Sequence, residues 1–181
     1  MASKWNIDLG HSSVNFSVRH LVVSKTRGRF TRWEGTLDLD EADITRSRVA
    51  VSIDAASIDT DLADRDGHLR SADFLDVEHH PRITFESRKL TRRDGDELRL
   101  IGDLTIRGVT REVAFDVEYA GTQKDPWGGE RAGFTASGKL SRKDFGLEWN
   151  QVLETGGLLV GDEVRFDIEL EALKQSAERA A

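Results

Sequence analysis

Ser13-Val14-Asn15-Phe16-Ser17-Val18-Arg19-His20 sets an apolar side chain at every second position, with Val14, Phe16 and Val18 between Ser13, Asn15, Ser17 and Arg19. Successive side chains of an extended chain point to opposite faces, so this is the pattern of a strand with one buried and one solvated face. Working outward, the same period holds at Trp33, Gly35, Leu37 and Leu39, and at Val49, Val51 and Ile53. It returns at Ile83 and Phe85, at Leu104 and Ile106, and at Val113, Phe115, Val117 and Tyr119. Phe134, Ala136, Gly138 and Leu140 repeat it, and so do Val164, Phe166, Ile168 and Leu170. Arg107-Gly108 and Asp94-Gly95-Asp96 read as tight turns between such runs. Successive turn-bounded strands with one apolar face each predict an all-β, antiparallel sheet of about eight strands closed into a barrel.

The remaining chain fills in around these strands. Trp5-Asn-Ile7-Asp8 already has strand character. Gly-x-Leu recurs at Gly35, Gly102 and Gly138 at irregular spacing, which predicts bend-relieving glycines rather than a solenoid repeat. One short helix is expected near Asp61–Asp73, with Leu62, Leu69 and Phe74 as its apolar contacts. Gly121–Arg131 and Ser141–Asp162 read as long loops. The second holds Phe145, Leu147, Trp149, Val152, Leu153, Leu158 and Leu159, too apolar for free solvation, and is expected to be a flap, a portal or a subunit contact. The tail after Leu173 reads as a frayed helix. Residues 1–181 show no domain boundary.

Composition narrows the class. At 181 residues the chain can bury a core without staples, and 38% hydrophobic with 33% charged residues is ordinary for a globular protein. The net charge of −7 disfavours a nucleic-acid partner and tight adsorption to an anionic membrane surface. Cysteine is absent, which excludes disulfides and thiolate chemistry. No apolar run is long enough to span a bilayer, so stable membrane insertion is not expected. No signal peptide precedes Trp5, so a cytoplasmic location is expected, the alternative being a mature form whose leader has been removed.

Motifs for chemistry are weak. Gly133-Phe-Thr-Ala-Ser-Gly138-Lys139 approaches a phosphate loop, but Leu140 stands where a hydroxyl is needed and the segment alternates as a strand. Asp64-Arg-Asp66-Gly67 approaches a calcium loop, but Leu62 would be its first ligand, and a helix-cap role is expected. Asn15-Phe-Ser17 is a sequon in mid-strand and carries no weight. His79 and His80 are adjacent and cannot easily share an ion, so no metal and no cofactor are expected. His20 has the parity of Phe16 and Val18 and should point inward, either bonded to backbone at the barrel end or touching a ligand. Arg65, Asp66 and His68 fall within about one helical turn. They suit tethering the helix to the barrel rim, the favoured reading, or else contacting an anionic head group or doing acid–base work.

The opening Trp5-x-Ile7-Asp8-x-x-His11-Ser12-x-Val14-x-Phe16-x-Val18-Arg19-His20 resembles that of the YceI-like, polyisoprenoid-binding family. Gly28-Arg-Phe30, Ser57-Ile-Asp-Thr60, Arg65-Asp66-x-His68-Leu69, Asp73-Phe74 and His80-Pro81-x-Ile83-Thr84-Phe85 follow in order. Gly102-x-Leu104-Thr105-Ile106-x-Gly108-Val109-Thr110, Arg142-x-Asp144-Phe145-Gly146 and Val160-Gly161-Asp162-x-Val164 complete the series. True lipocalins usually carry Gly-x-Trp near the start, where Ser3-Lys4-Trp5 stands here. The resemblance implies an extended, lipocalin-like barrel whose pore holds a polyisoprenoid, often as a homodimer. Many relatives carry a secretory signal.

On this reading the pore is lined by Phe16, Val18, His20, Trp33, Leu37 and Val51, then by Ile53, Phe85, Leu104, Phe115, Val117 and Phe134. Ala136, Leu140, Phe145, Phe166 and Ile168 complete it, with Arg65 and His68 as head-group or rim contacts. The expected function is non-covalent binding or carriage of an isoprenoid lipid, a prenyl phosphate or an isoprenoid quinone. The rivals are an enzyme at the barrel mouth using His20, His68 and nearby Arg and Asp residues on an isoprenoid-like substrate, and a structural protein with a solidly filled barrel.

Overall fold

Every alternating segment forms a strand in the computed structural model, which describes residues 1–21, 23–154 and 158–176. The strands are β1 (Ser3–Ile7), β2 (Ser13–His20), β3 (Ser24–Phe30), β4 (Trp33–Leu39), β5 (Arg48–Asp54) and β6 (Ile58–Asp59). One helix, α1 (Ala63–Arg70), precedes β7 (Arg82–Arg92), β8 (Glu97–Ile106), β9 (Val109–Lys124), β10 (Glu130–Ser141) and β11 (Val160–Lys174). The order β1-β4-β5-β7-β8-β9-β10-β11 returns to β1, which pairs with both β4 and β11, so eight antiparallel strands close a barrel.

Closure depends on the length of β11. Its Ala172–Lys174 end pairs with β1, while Val164–Glu169 on the same edge pairs with β2. β2, β3 and β6 continue the wall towards one end of the barrel. That end, where β2 and β3 turn and α1 packs, is called the mouth below. The opposite end, at Trp5, Leu39 and Lys174, is the far end. The β8–β9 turn uses Arg107 and Gly108 with φ of 50° and 72°, the paired positive angles that match strand twist in a two-residue hairpin.

Several expectations need correction. Gly121–Arg131 is mostly strand: β9 runs to Lys124 and β10 starts at Glu130, because solvated strand ends carry no apolar alternation. The turn between them is held by Asp125 Oδ1, which accepts from the amides of Trp127 (2.9 Å) and Gly129 (2.8 Å). The helix is shorter than Asp61–Asp73, and Leu62 is exposed rather than packed. The tail after Leu173 continues as strand to Lys174, and residues from 177 onward lie outside the described ones.

Two glycines make room for aromatic rings. Gly138 pairs across the sheet with Phe166, and a Cβ there would lie 2.7 Å from the Phe166 ring. Gly28 pairs with Phe16 in the same way, at 2.3 Å. Each glycine lets an aromatic ring lie over the strand beside it.

Candidate functional site

The barrel encloses a cavity of about 620 Å³, within the range of about 300–1,000 Å³ typical of ligand sites. Its wall is built by the period-two faces of the strands. Phe16, Val18, Trp33, Leu37, Val51 and Ile53 contribute from β2, β4 and β5. Phe85, Leu104, Phe115 and Val117 contribute from β7, β8 and β9, and Phe134, Ala136, Leu140, Phe166 and Ile168 from β10 and β11. Phe115 sits between Phe85 and Phe166, with ring centroids 5.1 and 4.8 Å apart, so one aromatic row crosses three sides of the cavity.

Phe145 is the exception among the expected lining residues. It lies on a 3-10 turn (Arg142–Phe145), is 1% exposed, and packs in the core instead of facing the cavity. The strand period ends at Ser141, so parity no longer predicts where a side chain points. The wall also includes residues the alternation did not single out, among them Phe30, Leu90, Leu98 and Leu100.

Polar groups of the wall gather mainly at the mouth, where His20, Arg65 and His68 all reach the cavity. Helix α1 is eight residues long and has no side-chain cap, so tethers rather than propensity hold it in place. Arg65 donates from Nε to Thr60 Oγ1 (2.8 Å) and from Nη2 to the Thr60 carbonyl (2.7 Å). Arg70 donates to the carbonyls of Ala56 (2.8 Å) and Ile58 (3.0 Å). Asp66 does not cap the helix. Its buried Oδ1 accepts from Thr60 N (2.9 Å) and Thr60 Oγ1 (2.5 Å), fixing the chain that enters α1. His68 Nε2 bonds Asp73 at 2.8 Å, and its ring meets those of Trp149 and Phe74 edge-on at 4.6 and 5.1 Å.

The segment after β10 completes the mouth. Leu147, Trp149 and Leu159 reach the cavity, while Val152 and Leu158 face solvent. Arg142 organises this segment, although the alternation did not single it out and the sequence showed it only within the Arg142-x-Asp144-Phe145-Gly146 motif of the resemblance. It is 2% exposed and donates to the carbonyls of Gly161 (2.8 Å), Leu147 (2.6 Å) and Trp149 (2.8 Å). Burial lowers the guanidinium pKa, and Asp162 at 3.8 Å acts the other way.

Two histidine-containing clusters among the described residues lie outside the cavity. His79 bonds Asp76 at 2.9 Å, which raises the imidazole pKa and lowers that of the carboxyl. Asp8, His11 and Glu171 bring ligand atoms within 4.8 Å of one another, a grouping that histidine spacing alone does not reveal. Arg131 Nη1 already holds Asp8 (2.9 Å) and Glu171 (2.5 Å), so a guanidinium serves these carboxylates.

The YceI-like domain family matches residues 5–172. The chain belongs to that family. A UPF0312 protein of Staphylococcus epidermidis is 40% identical over 93% of this chain and 96% of its own length. The solved structure of Burkholderia cenocepacia BcnA superposes with a TM-score of 0.81 at 23% identity, covering 92% of this chain and 99% of that one. A polyisoprenoid binding domain from Saccharophagus degradans aligns with a TM-score of 0.66 at 15% identity, covering 97% of this chain and all of that one. Both structural likenesses concern the YceI-like fold.

Proposed function

We propose that this protein binds a long isoprenoid lipid in its barrel and carries it without covalent chemistry. The observation that carries the reading is the cavity: about 620 Å³ enclosed by aliphatic and aromatic side chains, with polar groups concentrated at the mouth. Burial of a slim apolar chain there yields about 0.8 kcal/mol per CH₂, against the cost of ordering the chain. A polyisoprenoid binding domain among the solved structures of this fold supports the same class of ligand. His20, Arg65 and His68 stand where a polar head group would emerge.

One observation favours the rival enzyme: His68 is paired with Asp73 beside the cavity. The same ring packs against Phe74 and Trp149, which suits a mouth-closing role equally well. Organic extraction and mass spectrometry of the purified protein separate the two, because a carrier releases an unmodified lipid.

Ala136 tests the cavity directly. It lies between Phe134 and Gly138 on β10, faces the cavity, and pairs with Val117 and Ile168. Ala136→Trp should fold with about 1–3 kcal/mol of strain and lose the co-purifying lipid. A folded variant that keeps its lipid would overturn this assignment of the binding site.

A further inference from the structure

We infer that the β2–β3 hairpin tip docks the barrel mouth on a bilayer surface carrying anionic head groups; this rests on the lipid-binding reading above and adds where the lipid is exchanged. A hairpin tip normally carries Gly, Asn or Asp, which supply positive φ cheaply. Here the connection reads His20-Leu21-Val22-Val23-Ser24. Leu21 adopts φ 55° without being glycine, and it is 39% exposed, while Val23 is 86% exposed. A bulky apolar residue in the left-handed region and a solvated valine both cost stability, and such costs concentrate at functional sites.

The neighbouring segment extends the same surface. Leu21 N donates to Leu159 O (3.0 Å), Leu159 N donates to Gln151 O (2.9 Å), and Val152 bridges to Leu158. Val152 is 72% exposed and Leu158 42%. Leu159 and His20 reach the cavity, so this apolar rim borders the opening a lipid would pass through.

Charge identifies the occupant. The whole chain carries −7, yet from Leu9 to Trp33 there is no Asp or Glu and there are five Lys or Arg. Arg29 and Arg32 are committed to Asp59, Asp61 and Asp54. Nearer the tip, Lys25 stands opposite Arg19 and Arg27 opposite Ser17 in the register of β2 and β3. Lys25 and Arg27 are exposed. Of the nearby acids, Asp162 is met by Lys143 and Glu163 by Arg165. Screening over roughly 8–10 Å makes this local charge, not the net charge, the quantity a surface meets. An apolar tip on basic arms is the pattern of reversible docking to anionic lipid.

Flotation with phosphatidylglycerol-containing vesicles tests the inference, with phosphatidylcholine vesicles and added salt as comparisons. Wild type should bind the anionic vesicles, weakly or not at all the neutral ones, and less as salt rises. Val23→Asp should weaken binding about tenfold or more, and Lys25→Glu with Arg27→Glu by a similar factor, since each basic group near such a surface counts separately. Both variants should keep co-purifying lipid, which separates failure of docking from failure of the binding site. Equal flotation of wild type and Val23→Asp would overturn the inference. So would no flotation of wild type, or a dimer in wild type that Val23→Asp converts to monomer without changing vesicle binding, which would assign the rim to a second copy of the chain.

Discussion

The two ends of this barrel are built on opposite principles. At the far end Trp5, Leu39 and Ala172 are at most 1% exposed, and Lys174 lies 5.5 Å over the Trp5 ring. Around them Arg131 joins Asp8, Asp125 and Glu171, and Lys174 joins Glu41 and Glu130. At the mouth the chain crosses the opening as a short helix and an irregular segment, each hung from backbone carbonyls by one or two arginines. Apolar residues there face solvent instead of packing, as Leu21, Val23, Val152 and Leu158 do. One end is closed by packed side chains and ion pairs, and the other by a short helix and an irregular segment tied mainly through arginine side chains.

The largest effect expected from this contrast is at the far end. Trp5→Ala should destabilise by about 3–5 kcal/mol, read as the denaturant midpoint, while the remaining folded protein keeps its lipid. Loss of lipid from a variant of normal stability would break the comparison, because it would make the far end part of the binding site.

Arg142→Met should cost less, about 1–3 kcal/mol, because of its bonds to the carbonyls of 147, 149 and 161 only the one to Leu147 is fully buried. Its sharper signature should be faster proteolysis within residues 146–159, with the sheet intact. Cooperative global unfolding with no local cleavage would show that the mouth is as integral as the far end.

The smallest effect is a pH dependence. The Arg131 hydrogen bond lowers the pKa of Asp8, and the Gly129 amide followed by Arg131 lowers that of Asp125. Carboxyls depressed in the folded state contribute stability that is present above their unfolded pKa near 3.8 and is lost as pH falls through the folded values. Wild type should therefore lose more melting temperature than Arg131→Met between pH 6 and about pH 3. Parallel pH profiles for the two would remove these ion pairs from the account of the far end, whose exposure to solvent already limits their worth.

Much of the cavity was legible in the sequence because a strand's period is two: once one residue of a run is known to face inward, its parity assigns the rest. Phe16, Val51, Phe115, Ala136 and Ile168 follow from that rule alone. The rule fails where the strand stops, which is why Phe145 was misplaced. Solvated strand ends such as Gly121–Lys124 carry no apolar alternation and therefore read as loop.

The sequence by itself determined the strand faces, the barrel class and the family, because these rest on local alternation and on motifs in a fixed order. Only the tertiary structure decided the rest. Gly138 accommodates the ring of Phe166 because register brings the two opposite one another. Arg142 holds the mouth because carbonyls from 147, 149 and 161 converge on one buried guanidinium. Asp8, Arg131 and Glu171, far apart in the chain, meet because β11 is long enough to close the ring onto β1. Such contacts depend on which strands become neighbours, a choice made by closure of the whole sheet and written in no single segment.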